Sequence, residues 1–355
     1  MARKRPTLLF TMGDPAGIGP EILVRALAHR ALRRAAGLAA VGDPGVLERA
    51  ARHARVPLRL EAVAPAAFET GELPELPRGA VPVIASSREG WGSFEPGVPS
   101  AATGLAAARA IEVAAGLALR RRADAVVTAP ISKTALRAAG YPYPGHTEFL
   151  GALSGAPETR MLFTGGPWNI LLATVHVALR DVSAALTVES LLRTLEYAAL
   201  AARNFRWGPK RAVAVLGVNP HAGEGGMFGD EETRILAPAM EAARARGIRV
   251  EGPYPADTFF AQHGRRRDLA AVVAMYHDQG LIPAKLGGIG GAANVTLGLP
   301  FVRSSVDPST AFGRAWRRGG VRPDPAGLVT AARVGIDLAA RAARGGRGRL
   351  EWTWP

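Results

Sequence analysis

The sequence predicts an α/β protein of two domains built on mostly parallel sheets, and three observations carry that reading. The chain has 355 residues, more than one hydrophobic core ordinarily supports. Short apolar runs of strand length alternate with longer helical patterns, the mark of βαβ units. The chain contains no Cys, which excludes a disulfide scaffold, a thiolate nucleophile and a Cys-ligated zinc or iron–sulfur site.

The elements follow in order. Thr7 to Phe10 is a first strand, and a Gly/Pro turn leads into a helix from Pro20 to Arg34. Pro20 occupies the first helical position, Glu21 suits the positive end of the dipole, and Gly37 follows the last turn. Leu38 to Val41 is the next strand. Residues 63–99 are Pro-rich and weakly periodic, a loop with at most short strands. A helix covers Ser100 to Arg122, interrupted on its polar side by Arg109 and Glu112, and a buried strand covers Ala125 to Thr128. Further on come strands at Ile170–Val175, Ala212–Val218 and Ala271–Met275, with helices at Val188–Phe205, Asp230–Arg246 and Leu328–Arg344. The closing Trp352 and Trp354 are candidates to dock after an Arg/Gly tail. The expected division is a first, nucleotide-side domain of residues 1–128 plus 292–355 and a second domain of residues 129–291.

The 44 Lys and Arg against 30 Asp and Glu leave a net charge of +14. A basic surface attracts phosphates without specificity, but these arginines are scattered along helices or bunched at helix ends, as at Arg120-Arg121-Arg122, where cations oppose the dipole. A small phosphorylated or carboxylated substrate suits the charge better than nucleic acid. The N-terminal apolar run is too short for a signal core or a bilayer span, so a cytoplasmic protein without membrane partners is expected.

The chain has seven His, and three of them close strand-like apolar runs: His176, His221 and His277. Ligands of open parallel sheets bind outside the carboxyl ends of strands, so these rings are candidate ligands of one divalent metal ion. Singly, each is equally a polar cap. Asp278, Asn219 and Asp257 lie close in sequence and could orient imidazoles, although Asp257 also reads as a turn or N-cap residue. His29, His53 and His263 read as solvated. At Gly145-His146-Thr147 a rigid approach meets a helix start, where anions bind free amides; alternatively Thr147 is only an N-cap. Lys285, Asn294 and Arg303 share a Gly/Pro-rich stretch suited to gripping phosphate and carboxylate, and Lys133 sits just past a strand. Gly13, Asp14 and Gly17 form a tight βα turn that has neither the dinucleotide fingerprint nor the P-loop spacing.

Together these segments resemble the 4-hydroxythreonine-4-phosphate dehydrogenase family of pyridoxal phosphate biosynthesis. The match runs from Thr11 to about Asp307, through Gly13-Asp14-Pro15-Ala16-Gly17-Ile18-Gly19-Pro20-Glu21, Gly145-His146-Thr147-Glu148-Phe149, Asn219-Pro220-His221-Ala222-Gly223-Glu224, Tyr276-His277-Asp278-Gln279-Gly280 and Asn294-Val295-Thr296-Leu297-Gly298-Leu299-Pro300. The opening turn also looks like that of isopropylmalate dehydrogenase. The resemblance implies two α/β/α domains of that kind with an active-site cleft between them, in a homodimer with shared active sites. It implies His176, His221 and His277 as ligands of one divalent ion (Zn, Mg, Co, Ni or Mn), the third coming from the other subunit. His146, Thr147, Lys285, Asn294 and Arg303 match substrate-binding positions. Lys285, Asp278 and Asp257 are the catalytic candidates, and Gly13, Asp14, Gly17 and Thr310 the contacts to NAD or NADP. The family oxidises the C3 hydroxyl of 4-phosphohydroxy-L-threonine, and the resulting β-keto acid loses carbon dioxide to leave 3-amino-2-oxopropyl phosphate.

One segment departs from the family. After Asp307 the usual His-Gly-Thr-Ala is replaced by Pro308-Ser309-Thr310-Ala311, and Arg314, Arg317 and Arg318 follow. Those arginines read either as contacts to a nucleotide phosphate or as a solvated face. Two alternatives stay open: a dehydrogenase of 4-phospho-threonate or 4-phospho-erythronate, and a non-catalytic binder of phosphorylated metabolites with a degraded nucleotide loop.

Overall fold

The computed structural model describes residues 5–70, 76–87, 94–208, 211–262, 268–286, 291–306, 310–317, 319, 321–344 and 350–352. His263, Asp307, Pro308, Ser309, Arg318, the tail at 345–349 and Trp354 lie outside them. The chain forms two compact units, Met1–Thr159 with Leu299–Ala340, and Arg160–Gly298 with Arg341–Pro355.

The first unit begins with β1 (Thr7–Thr11), α1 (Gly19–Leu27), α2 (Arg30–Ala35), β2 (Gly37–Gly42), α3 (Pro44–Ala54), β3 (Leu60–Val63), α4 (Pro65–Thr70) and β4 (Val81–Ala85). It continues through α5 (Ala101–Leu119), β5 (Ala125–Thr128), α6 (Lys133–Ala138) and α7 (His146–Ser154). The second unit contributes β6 (Arg160–Thr164), β7 (Ile170–Leu172), α8 (Val182–Ala185), α9 (Val188–Asn204), β8 (Ala212–Leu216), α10 (Ala237–Ala245), β9 (Val250–Tyr254), α11 (Ala256–Gln262), β10 (Leu269–Ala274), α12 (His277–Lys285) and β11 (Ala293–Leu297). The chain then returns with β12 (Val302–Ser305) and α13 (Ala326–Arg344).

In the first unit six strands run in the order β3-β4-β2-β1-β5-β12, and every neighbouring pair is parallel. Their near-continuous apolar content is what burial on both faces requires. Ser100 caps α5 with a reciprocal box to Thr103. By length and composition α5 could cross a membrane, yet 61% of its apolar window is buried within the chain. Ala110, Ile111 and Ala114 pack with Leu9, Val41 and Val126 in the core. Its polar side is narrow, an Arg109–Glu112 pair at 2.7 Å.

The second unit has the order β11-β6-β7-β10-β8-β9. β6 is antiparallel to both β11 and β7, whereas β7, β10, β8 and β9 are parallel. Phe163, Leu172, Val272 and Phe259 are among its core residues.

Several expectations need correction. The first helix breaks at His29, whose backbone is extended, giving α1 and α2. Residues 63–99 contain the short helix α4 besides strand β4. The expected strand to Val175 stops at Leu172. His53 is no solvated bystander: its Nε2 lies 3.5 Å from a Glu21 oxygen, and its ring is 5.6 Å from that of Trp316. The units also differ from the expected domain bounds. Residues 129–159 stay with the first unit because α6 and α7 pack on α5. Residues 341–355 join the second, where Trp352 stacks on Tyr197 at 5.7 Å and 11°.

Candidate active site

The opening turn folds on itself. Gly13 has φ +73°, and a Cβ there would sit 2.4 Å from the Pro130 carbonyl oxygen, so only glycine fits. At Gly17 a Cβ would lie 2.9 Å from the Thr310 oxygen. Four amides of the turn are already used: Asp14 donates to Pro130, Gly17 to the Asp14 carbonyl, and Ile18 to Thr310, while Ala16 donates to Asp14 Oδ1 at 3.0 Å. Gly13, Asp14, Gly17 and Thr310 are therefore brought together, as a packed junction in which the Asp14, Ala16, Gly17 and Ile18 amides are committed within the chain. Asp14 is fully buried, and burial pushes its carboxyl up to about 6 against the hydrogen bonds from Ala16 and Thr103.

Also in the first unit, β12 delivers Arg303, and the segment after β5 and α6 delivers α7. Arg303 is 2% exposed and donates from Nη2 to Thr128 Oγ1 at the end of β5, at 2.7 Å. Burial pulls its guanidinium down to about 9, with the Glu148 carboxylate opposing. Next to it His146 opens α7 after Gly145. Burial, then Arg303, holds this imidazole well below its usual range and hence neutral. His146 Nε2 is buried and has no hydrogen-bond partner among the described residues. A buried cation, a neutral imidazole with an unused nitrogen and the amides of a nine-residue helix start form an anion-binding arrangement. Thr147 belongs to the same turn. Lys133 is exposed at the start of α6.

In the second unit β7, β10 and β8 are adjacent and parallel, so the segments carrying His176, His277 and His221 leave one edge of the sheet. The rings of His176 and His277 stand 5.8 Å apart at 40°. With a metal–nitrogen bond of about 2.0–2.1 Å, ring centres lie roughly 3.2 Å from an ion, so this pair fits one cation. His277 Nδ1 is 2.7 Å from Asp278 Oδ1, which leaves Nε2 with the lone pair, the arrangement that orients liganding imidazoles. His221 faces elsewhere, with Nδ1 3.0 Å from Glu224 Oε2 and its ring against Phe228. Among the described residues no group of three His, Cys, Asp or Glu comes together to hold a metal within one chain. Asp257 is exposed in the first turn of α11, which packs on the 220–226 turn. Lys285 ends α12, roughly 12 Å along the helix from His277 at 1.5 Å per residue. Asn294 lies in β11 opposite Phe163.

Two supporting residues went unread in the sequence. His221, Ala222 and Glu224 all have positive φ (+55°, +54° and +42°), each about 1–3 kcal/mol of strain that the surroundings must hold. Glu232 does so: Oε1 accepts from the Val218 and Asn219 amides at 2.7 and 2.8 Å, and Oε2 from Asn219 Nδ2 at 2.9 Å. It sits in a π-helical turn at 232–236, a feature common at functional sites. Beside it, Ser183 and then Asn219 hold the Glu231 carboxyl below its usual range. Gln279 ties strand ends together, accepting from the Met275 amide at 2.6 Å and donating to the Gly217 carbonyl at 2.7 Å. Its place two residues after His277 was the available signal.

Comparison with known proteins agrees with this architecture. The family model described as "Pyridoxal phosphate biosynthetic protein PdxA" matches residues 34–334. A 4-hydroxythreonine-4-phosphate dehydrogenase of Geobacter metallireducens is 44% identical, covering 88% of this chain and 90% of that one. A D-threonate 4-phosphate dehydrogenase of Cupriavidus necator is 42% identical, covering 95% and 98%. The crystal structure of 4-hydroxythreonine-4-phosphate dehydrogenase from Klebsiella pneumoniae superimposes with TM-score 0.82 at 37% identity, covering 96% and 99%. Fold and relatives define an α/β dehydrogenase, a class that implies a nicotinamide cofactor. Within that class, the chain belongs to the PdxA family of pyridoxal phosphate biosynthetic proteins.

Proposed function

We propose that the chain oxidises 4-phosphohydroxy-L-threonine at its C3 hydroxyl, the product losing carbon dioxide to give 3-amino-2-oxopropyl phosphate, with NAD or NADP accepting the hydride. The observation that carries this reading is the pairing of His176 with His277 at 5.8 Å beyond adjacent parallel strands. A divalent ion bound there would lower the pKa of a hydroxyl it coordinates and polarise the neighbouring oxygen. Asp278 fixes the His277 tautomer, so the ring offers its lone pair without a rotamer search. Arg303 and the first amides of α7 are suited to the phosphate dianion, and His146, held neutral, can donate or accept at Nε2 without adding charge. Lys285, Asp278 and Asp257 supply the cation and carboxylates for proton movement, and Lys285 and Asn294 for the substrate's polar groups.

A homodimer completes this reading. Leu179, Met227, Ile282 and Leu286 are exposed by 72%, 74%, 61% and 81%, and all flank the histidine-bearing segments of the second unit. Large exposed apolar side chains on these segments favour a second copy as their cover.

The Cupriavidus relative, at 42% identity over almost the whole chain, favours a second reading, oxidation of 4-phospho-threonate or 4-phospho-erythronate. Steady-state turnover of each substrate with NAD and with NADP, with and without a chelator, separates the two. Turnover of phosphohydroxythreonine abolished by chelator is expected. Activity on the hydroxy acids alone would replace the first reading by the second, and chelator-resistant turnover would remove the metal from both.

A further inference from the structure

A concave site of about 440 Å³ lies wholly within the second unit, at the end of the sheet where β8 starts. The histidine-bearing segments leave the other end of the parallel strands, so this pocket is separate from the site already described. Its volume is that of a small-molecule site, roughly 300–1,000 Å³. Four arginines line it from three directions: Arg203 from the last turn of α9, Arg211 from the residue before β8, and Arg246 and Arg249 from the turn between α10 and β9. Among the described residues no carboxylate lines it.

Arginines at helix ends ordinarily serve the last carbonyls, but here the backbone closes both ends itself. The Ala201, Ala202 and Arg203 carbonyls of α9 accept from the Phe205, Trp207 and Arg206 amides, and the Ala242, Ala243 and Arg244 carbonyls of α10 accept from the Arg246, Ile248 and Gly247 amides. Capping therefore does not account for the cluster. Two of its members are also held in place. Arg246 pairs with the Glu196 carboxylate, which is 0% exposed and shared with Arg193. Arg211 lies over Gly208, where a Cβ would come 3.1 Å from Nε and 3.2 Å from Cδ, and the φ of +101° at that position also favours glycine. Arg249 meets Glu251 at 3.6 Å, whereas Arg211 forms no ion pair among the described residues. Guanidinium groups do not deprotonate in proteins, so five arginines facing two carboxylates leave positive charge that an anion would neutralise.

The remaining lining is small and apolar, as at Ala199, Ala202 and Val213, and among the described residues it holds no aromatic ring to stack a base. A planar carboxylate is matched by one fork, while a tetrahedral phosphate presents oxygens in several directions and can accept from forks that converge from different elements. We propose that this pocket binds the phosphate dianion of a small phosphomonoester. Inorganic phosphate shares that chemistry.

Calorimetry on the full chain separates the two sources, with glycerol 3-phosphate, inorganic phosphate and citrate as probes. The variants are R203Q/R211Q, Ala199→Glu, which sets a carboxylate among the arginines, and R30Q/R34Q on α2 as an equal-charge control. A binding event for glycerol 3-phosphate weakened about tenfold or more by R203Q/R211Q and by Ala199→Glu, and little by the control, is expected. Phosphate bound near Arg303 in the first unit is a separate event that none of these variants touches. Inorganic phosphate bound as tightly as the ester, with the same dependence on the variants, assigns the site to the free ion. Slower hydrogen exchange over residues 199–213 of the unaltered chain in glycerol 3-phosphate supports the site without any variant. Equal losses in all three variants, no event sensitive to Arg203 and Arg211, or citrate bound more tightly than either phosphate would overturn it.

Discussion

Asp14 and His146 load the first unit with opposite dependences on pH. Asp14, raised to about 6 by burial, keeps its proton in the folded chain at pH values where the unfolded chain has released it. Its contribution to stability is full below about pH 4 and is lost as pH rises through about 6, by roughly 3 kcal/mol at about 1.4 kcal/mol per unit. Asp14→Asn removes this dependence, so the variant should gain on the parent between pH 4 and 6.5 in urea midpoints; a difference that stays flat would show an ordinary carboxyl. His146 runs the other way, since burial and Arg303 keep it neutral while the unfolded ring takes a proton below about 6.5. Its stabilising effect is present above that pH and declines on acidification, so His146→Gln should look relatively better at pH 5 than at pH 7.5. A ring whose NMR shifts titrate near 6.5 in the folded protein would contradict this.

Helix α5 shows how one element can contain a forbidden and a permitted glycine. An alanine in a helix interior ordinarily gains about 0.5–1 kcal/mol over glycine. At Gly104 a Cβ would lie 2.0 Å from the Ala135 carbonyl oxygen, where α6 crosses, and backbone cannot yield cheaply. Gly104→Ala should lower stability by about 1–3 kcal/mol. At Gly116 the nearest atoms are the mobile end of the Arg120 side chain, at 3.3 Å, so Gly116→Ala should gain about 0.5 kcal/mol. Equal effects in thermal melts would refute this account of the α5–α6 contact. The same contact explains what was legible beforehand. β1, β5, α5 and α9 could be read because their apolar periodicity is local. The domain bound could not, because it depends on Gly104 meeting Ala135, residues far apart in sequence. The break at His29 was hidden because the helical pattern continues through it. The histidines at the strand ends were readable, whereas the left-handed run at 221–225 and its brace Glu232 needed contacts across a turn that no spacing rule supplies.

At the scale of the whole molecule, the three histidines divide two and one. One chain brings His176 and His277 together, while His221 stands on Glu224 and Phe228. The resemblance implies His277 as the ring from the other copy; because one chain brings His176 and His277 together, a site shared between two copies would instead take His176 and His277 from one and His221 from the other, and damage to different residues could then be complemented. His221→Ala and His277→Ala should each be inactive alone as homodimers. In a heterodimer of the two, one site combines the intact pair of the first chain with the intact His221 of the second, and the other site carries both lesions. Random exchange of subunits makes about half of all dimers mixed, so mixing equal amounts should restore about a quarter of the parental activity. If all three rings served one site within a single chain, every site in the mixture would lack one ligand and no activity would return. Replacing Leu179 and Met227 by Asp should abolish the recovery as it lowers the mass measured by light scattering to that of one chain, because the apolar cover that brings the copies together is lost. Recovery that persists in a monomeric variant would rule out sharing.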